Sequence, residues 1–156
     1  MTIWLLDHGA DPNQQCSIDL NPMSYAVERA SLSTIRLLLD RGADVQKGEL
    51  LQHAAERRTE VVDVLDLLLE NGAPLNARMY ENHYFSYSLY CFMCLGTVLH
   101  RAADLGKVDA VRFLISRGID VTVRDASGRT ALDFAQESGY PEIIELLQPA
   151  TGERKP

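Results

Sequence analysis

Cys91 and Cys94 stand two residues apart with His83 and His100 close by, so four thiol or imidazole donors fall within eighteen residues. Thiolates and imidazoles are zinc donors, and Cys-x-x-Cys spacing suits one tetrahedral ion; in a βαβ setting the same pair carries disulfide exchange. A single pair is half of a structural zinc set, however, and no βαβ pattern surrounds it. A small metal-binding or redox module on the Cys91/Cys94 loop therefore stays as an alternative, and no metal or cofactor is assigned. No phosphate-cradling Gly-rich loop, Ser/His/Asp order or paired-carboxylate site stands out, and His8 and His53 lie in no arrangement that favours catalysis. The chain does not read as an enzyme.

The residues from Met79 to Leu95 are unusual in another way. They hold six of the eleven aromatics: Tyr80, Tyr84, Phe85, Tyr87, Tyr90 and Phe92. Loops are usually polar, and Tyr and Phe in a long loop match the composition of interface hot spots. Packing of the same rings onto their own scaffold is the competing reading, and both can hold for different rings. A second set is acidic. Glu28, Glu56, Asp104 and Glu137 each follow an alanine (26, 54, 102, 135) by two residues. In stacked helices such acids would align at a spacing on the order of 10 Å, close to the Debye length, and could favour a basic segment. An ordinary solvated helix face, partly neutralised by Arg29 and Arg57, is the plainer reading.

Composition limits the partner. The chain has 156 residues, 46% hydrophobic and 24% charged, with a formal charge of −7. That balance suits a folded domain with a real core and opposes a grip on phosphate, which needs clustered Lys and Arg. Three cysteines, an odd number without a basic leader segment, predict reduced thiols and an intracellular setting, cytoplasmic or nuclear. Charges interrupt every apolar run before spanning length, so no membrane is expected.

The elements that position these residues show in a recurring phrase. Leu5-Leu6-Asp7-His8-Gly9-Ala10-Asp11 returns as Leu38-Leu39-Asp40-Arg41-Gly42-Ala43-Asp44, then as Leu68-Leu69-Glu70-Asn71-Gly72-Ala73-Pro74 and Leu114-Ile115-Ser116-Arg117-Gly118-Ile119-Asp120. The glycines at 9, 42, 72 and 118 are 33, 30 and 46 residues apart, so one repeat carries an insertion. Paired leucines close an amphipathic helix, and Gly takes the left-handed conformation at its end. A shorter helix precedes each phrase, the clearest being Thr97 to Gly106, with Thr97 as N-cap. Gly42 to Ala54 spans 12 residues where Gly9 to Ala26 spans 17, so the second repeat opens on a shortened turn. Ala54 to Gly72 spans 18 against 16 for Ala26 to Gly42, which predicts helices longer by half a turn.

Thr97-Val98-Leu99-His100, the turn Asp125-Ala126-Ser127-Gly128-Arg129 before Thr130-Ala131-Leu132, and the Leu-Leu-x-x-Gly-Ala-Asp endings resemble the ankyrin repeat family over nearly the whole chain. The resemblance implies an all-α ankyrin-repeat solenoid of stacked helix-turn-helix pairs: four full repeats and an N-terminal half repeat. The expected domain is 1–149, with a partial repeat over 1–15, repeats at about 16–46, 47–76, 77–121 (insertion 79–95) and 122–149, and a polar tail at 150–156. It implies that the His100 ring bonds the Thr97 hydroxyl or nearby backbone. Asn13 and Asn76 fall where such repeats can be hydroxylated, although bridging the turn is their plainer role. The implied function is a protein-protein interaction scaffold that binds its partner through a concave face and the aromatic insertion. Ile3, Trp4, Leu5 and Leu6 lack a preceding helix to cover them, so a structural role within a larger ankyrin-repeat protein is the remaining alternative.

Overall fold

Helices of six to twelve residues cannot stand alone in water, so each needs its ends satisfied and one face covered. The computed structural model describes residues 1–90 and 95–152, and among these every regular element is helical. In chain order the helices are α1 (Thr2–Asp7), α2 (Pro22–Arg29), α3 (Leu32–Asp40), α4 (Leu50–Ala55), α5 (Val61–Glu70), α6 (Tyr84–Tyr90), α7 (Val98–Asp104), α8 (Val108–Ser116), α9 (Ala131–Ser138) and α10 (Pro141–Gly152). Contacts gather them into two units, Met1–Pro74 and Leu75–Pro156. Phe92 and the Cys91/Cys94 pair lie outside the described residues, as do residues 153–156 of the expected polar tail. Among the described residues no helix is long and apolar enough to cross a membrane.

In the first unit α2 packs on its own partner α3 and on α4, which in turn packs on α5. In the second, α7 pairs with α8 and α9 with α10, while α7 lies against α9 and α8 against α10. Like helices of successive repeats therefore touch, which is how a repeat array buries faces that one pair leaves bare. Met23, Val27, Ile35, Val64, Leu65 and Leu68 are sealed in the first core; Val98, Leu99, Val111, Leu114, Ile143 and Leu147 are sealed in the second. By contrast, Ile3, Trp4 and Leu5 of α1 remain about half exposed, at 54%, 59% and 47%.

The first helices are opened by a polar pair three residues apart. Asn21 accepts from the Ser24 amide at 2.9 Å while Ser24 Oγ accepts from the Asn21 amide, with Pro22 leading the helix. Thr130 and Asp133 repeat the device before α9. Donation from the Thr130 amide, and then from its hydroxyl, holds the Asp133 carboxyl below its ordinary range. Before α4 the pattern fails. Glu49 caps it at φ 54 with no capping hydrogen bond from its side chain, the consequence of the shortened turn. The extra residues of that repeat enter the turn after α4, not the helices: α4 has 6 residues and α5 has 10, against 8 and 9 in α2 and α3.

His100 is the most informative of these groups. Its Nδ1 lies 3.1 Å from the Thr97 amide and 3.0 Å from its hydroxyl, and its Nε2 lies 3.1 Å from the Arg129 carbonyl. An amide only donates and a carbonyl only accepts, so the ring is the neutral Nε2–H tautomer, bridging one repeat to the next. A Cβ on Gly96 would sit 2.5 Å from His100 Cγ, so glycine lets the ring lie this close. Ser24 does the same work in the first unit, donating from Oγ to the Gly48 carbonyl at 2.7 Å.

The turns are tied as well. Asn13 donates to the Gly42 carbonyl at 2.8 Å and accepts from the Asp44 amide at 2.6 Å, and Asn76 accepts from the Asp120 amide at 2.8 Å. The four phrase-ending glycines stand at φ 80 to 89, as a left-handed helix terminus requires. Arg57 is buried at 5% exposure and donates to the carbonyls of Val27 (2.6 Å), Ala30 (3.0 Å) and Thr59 (3.1 Å). It seals the C-terminus of α2 and also pairs with the Glu60 carboxylate at 3.4 Å.

Two outcomes follow from this bonding. Arg57→Ala strands buried carbonyls at the end of α2, an expected loss of about 3 kcal/mol, read as a lower urea midpoint with faster amide exchange in α2 and α4; Arg57→Lys, with one compact ammonium, is expected to rescue little of it. Burial first of all holds the His100 pKa below its ordinary 6.5. The unfolded chain therefore takes up the proton first, so the contribution of His100 is complete above pH 6.5 and is lost as pH falls towards the folded value. Denaturant midpoints at neutral and mildly acidic pH should fall more in the native chain than in His100→Asn; an equal fall in both contradicts this.

Candidate functional site

The insertion is closed at its base before it does anything else. The Met79 amide donates to the Gly96 carbonyl at 3.0 Å, so the chain leaves and returns at one point. Tyr80 then takes a left-handed turn (φ 59) and buries its ring. Arg78 and Glu81 bond across this turn, amide to carboxylate at 3.1 Å and guanidinium to carboxylate at 3.4 Å. His83 acts as a cap: its Nδ1 accepts from the Ser86 amide at 3.2 Å, and its carbonyl from the Tyr87 amide at 2.9 Å. The segment read as a loop is in part a seven-residue helix, α6.

The periodicity of α6 sorts its side chains. Ser86 and Tyr90, four apart, point inward: Ser86 is fully buried and the Tyr90 ring stacks on Tyr80 at 5.4 Å. The other face carries Tyr84, Phe85, Tyr87 and Leu89, exposed by 86%, 50%, 43% and 44%. Beside it runs an open groove of about 370 Å³, lined by Arg78, Met79, Tyr84, Tyr87, Leu95 and Ala126. Of the expected aromatic contacts, Tyr80 and Tyr90 are therefore scaffold, Tyr84, Phe85 and Tyr87 face outward, and Phe92 lies outside the described residues.

The four acids sit at the ends of the first helices, and several are engaged. Glu28 near the end of α2 is bonded by Arg29 at 2.9 Å. Asp104 ends α7 and pairs with Arg101 at 3.2 Å. Glu137 in α9 is met by Arg129 at 2.9 Å, and that same guanidinium lies 4.1 Å over the Phe134 ring. Glu56 caps α4. The helical return of α4 also brings in His53, to which the sequence assigned no partner arrangement favouring catalysis. The His53 Nδ1 is 3.9 Å from a Glu28 carboxylate oxygen, and donor atoms of Glu28, His53 and Glu56 all lie within 4.8 Å of one another. The signal available was His-x-x-Glu, which puts residues 53 and 56 on one helix face. Of the histidines in the Cys/His grouping, His83 is engaged at Nδ1 and His100 at both nitrogens.

Comparison with known proteins places this geometry in a family. The model for ankyrin repeats (3 copies) matches residues 1–79, and that for ankyrin repeats (many copies) matches residues 99–148. The chain is similar to the probable E3 ubiquitin-protein ligase XBOS34 of Oryza sativa subsp. japonica, 30% identical over 73% of this chain and 21% of that protein. It is also similar to the ankyrin repeat protein nuc-2 of Neurospora crassa, 28% identical over 96% of this chain and 13% of that protein. A third similarity is to the B-cell lymphoma 3 protein homolog of Mus musculus, 28% identical over 85% of this chain and 29% of that protein. The chain thus spans less than a third of the length of each of these relatives. With two ankyrin models matched and the capped helix pairs in register, the chain belongs to the ankyrin-repeat family, whose repeats generally mediate protein-protein interaction and are usually binding modules without catalysis of their own.

Proposed function

We propose that this chain is a recognition module that takes a protein partner on the outward face of α6, with its inner-helix acids favouring a basic segment in that partner. The observation that carries the reading is the exposure of Tyr84, Phe85 and Tyr87 on one short helix, above a base that already buries Tyr80. Large rings held out of a scaffold lose little side-chain entropy on docking, and they are the side chains that dominate interface energies. Tyr84 and Tyr87 line the groove together with Met79 and Leu95, so an apolar anchor fits between them. The Arg78–Glu81 pair at its edge supports contact over chemistry, because each charge is already met by the other.

The acids contribute differently. Glu28, Asp104 and Glu137 have cationic neighbours at their own surface, so their expected part is steering and selection, not an anchor. Glu56 caps the end of α4, on the same inner helices as the other three acids. The net charge of −7 supports a basic protein segment over nucleic acid. The reduced-thiol composition supports an intracellular setting for this work.

A random-peptide library panned against the intact chain tests the reading. The selected peptides should combine Lys or Arg with an apolar anchor. For the best of them, Tyr84→Ser with Phe85→Ser should weaken binding about thirtyfold, roughly 2 kcal/mol, with little change in melting temperature. Glu28→Gln with Glu56→Gln should mainly slow association and flatten its salt dependence. Peptides that bind the double aromatic variant as well as the native chain would overturn the proposal.

A further inference from the structure

Two carboxylates and an imidazole from neighbouring repeats converge in the first unit, and this convergence is independent of the aromatic surface. Glu28 comes from the last turn of α2; His53 and Glu56 come from α4 and its cap, three residues apart on one side. All three are partly buried, and both ring nitrogens of His53 are out of reach of solvent. The His53 Nδ1 to Glu28 Oε2 separation of 3.9 Å is too long for a hydrogen bond. It is close to what an ion between them requires: at metal–ligand bonds of about 2.0–2.1 Å, two donors stand roughly 3.4 Å apart at a tetrahedral angle and about 4.1 Å apart in line. The widest donor separation is within 4.8 Å, which rotation of a Glu side chain closes.

Charge and surroundings agree with an ion here. Two carboxylates held this near one another repel unless a cation lies between them. Arg57, next to Glu56 in sequence, donates to the carbonyls of Val27, Ala30 and Thr59 and pairs with the Glu60 carboxylate at 3.4 Å. Arg29 meets Glu28 at Oε1, leaving Oε2 as the oxygen turned to His53. From these observations we propose that Glu28, His53 and Glu56 form a site for a divalent ion of the zinc class, bridging α2 and α4. One imidazole and two carboxylates match that class, with water completing four-coordination; magnesium and calcium want more oxygen donors and gain nothing from imidazole. The ion joins successive repeats, so it stabilises the first unit. The site shares Glu28 and Glu56 with the partner-binding proposal but does not depend on it, since zinc titration of the chain alone reads it without any partner.

The test uses the full chain with Cys16→Ser, Cys91→Ser and Cys94→Ser, so that no thiol competes for metal. After removal of bound metal by chelation, zinc is titrated calorimetrically and melting is followed with and without it. One zinc per chain and a raised melting temperature are expected. His53→Ala and, separately, Glu56→Gln should each weaken binding at least tenfold and abolish the rise, while magnesium should give none. Glu28→Gln, which changes no side-chain volume, repeats the test if His53→Ala folds poorly, as circular dichroism reports. Zinc binding that is unchanged in these variants, no zinc-dependent rise in the thiol-free chain, or an equal response to magnesium would each overturn the site.

Discussion

Helices this short leave a large share of their backbone polar groups at their ends, and the structure depends on where those groups find partners. Most answers come from polar side chains three residues apart or from the adjoining repeat. Asn21 with Ser24, Thr97 with His100 and Thr130 with Asp133 open their helices, and Ser24 and His100 reach on to a carbonyl of the repeat that follows. Arg57 closes the end of α2 from the other direction. Capping and stacking are one set of bonds here. A helix that lost its neighbour would lose both its apolar cover and the partner of its terminal groups.

Much of this was legible because local chemistry governs it. The Leu-Leu-x-x-Gly phrases marked helix ends, and their glycines adopt the left-handed conformation expected. Thr97 reads as a cap from its type and place, and it is one. What escaped was set by distance in space. Arg57 reads as a surface cation beside Glu56, yet its length lets it cross to the terminal carbonyls of α2 while it keeps an ion pair with Glu60. The extra residues of the second repeat enter the turn after α4, and α4 itself opens at Glu49 without a capping bond from its side chain. Glu28 comes near His53 through the packing of α2 on α4, a proximity that spacing along the chain does not show.

The aromatic insertion shows the same division. Its richness in Tyr and Phe was plain, but composition does not say which rings turn inward. Closure at Met79 and Gly96, the left-handed turn at Tyr80 and the cap from His83 fix where α6 begins, and its helical repeat does the sorting. Ser86 and Tyr90 hold the helix to its base, and Tyr84, Phe85 and Tyr87 are left outside. A buried ring and an exposed one thus have complementary parts, the first making the second rigid enough to serve as a contact.

The central claim, that a buried base holds an outward aromatic face, is tested most directly by proton NMR of the tyrosine and phenylalanine rings with a soluble paramagnetic agent. The account predicts strong broadening at Tyr84, Phe85 and Tyr87 and weak broadening at Tyr80. Equal protection of all four rings would contradict it.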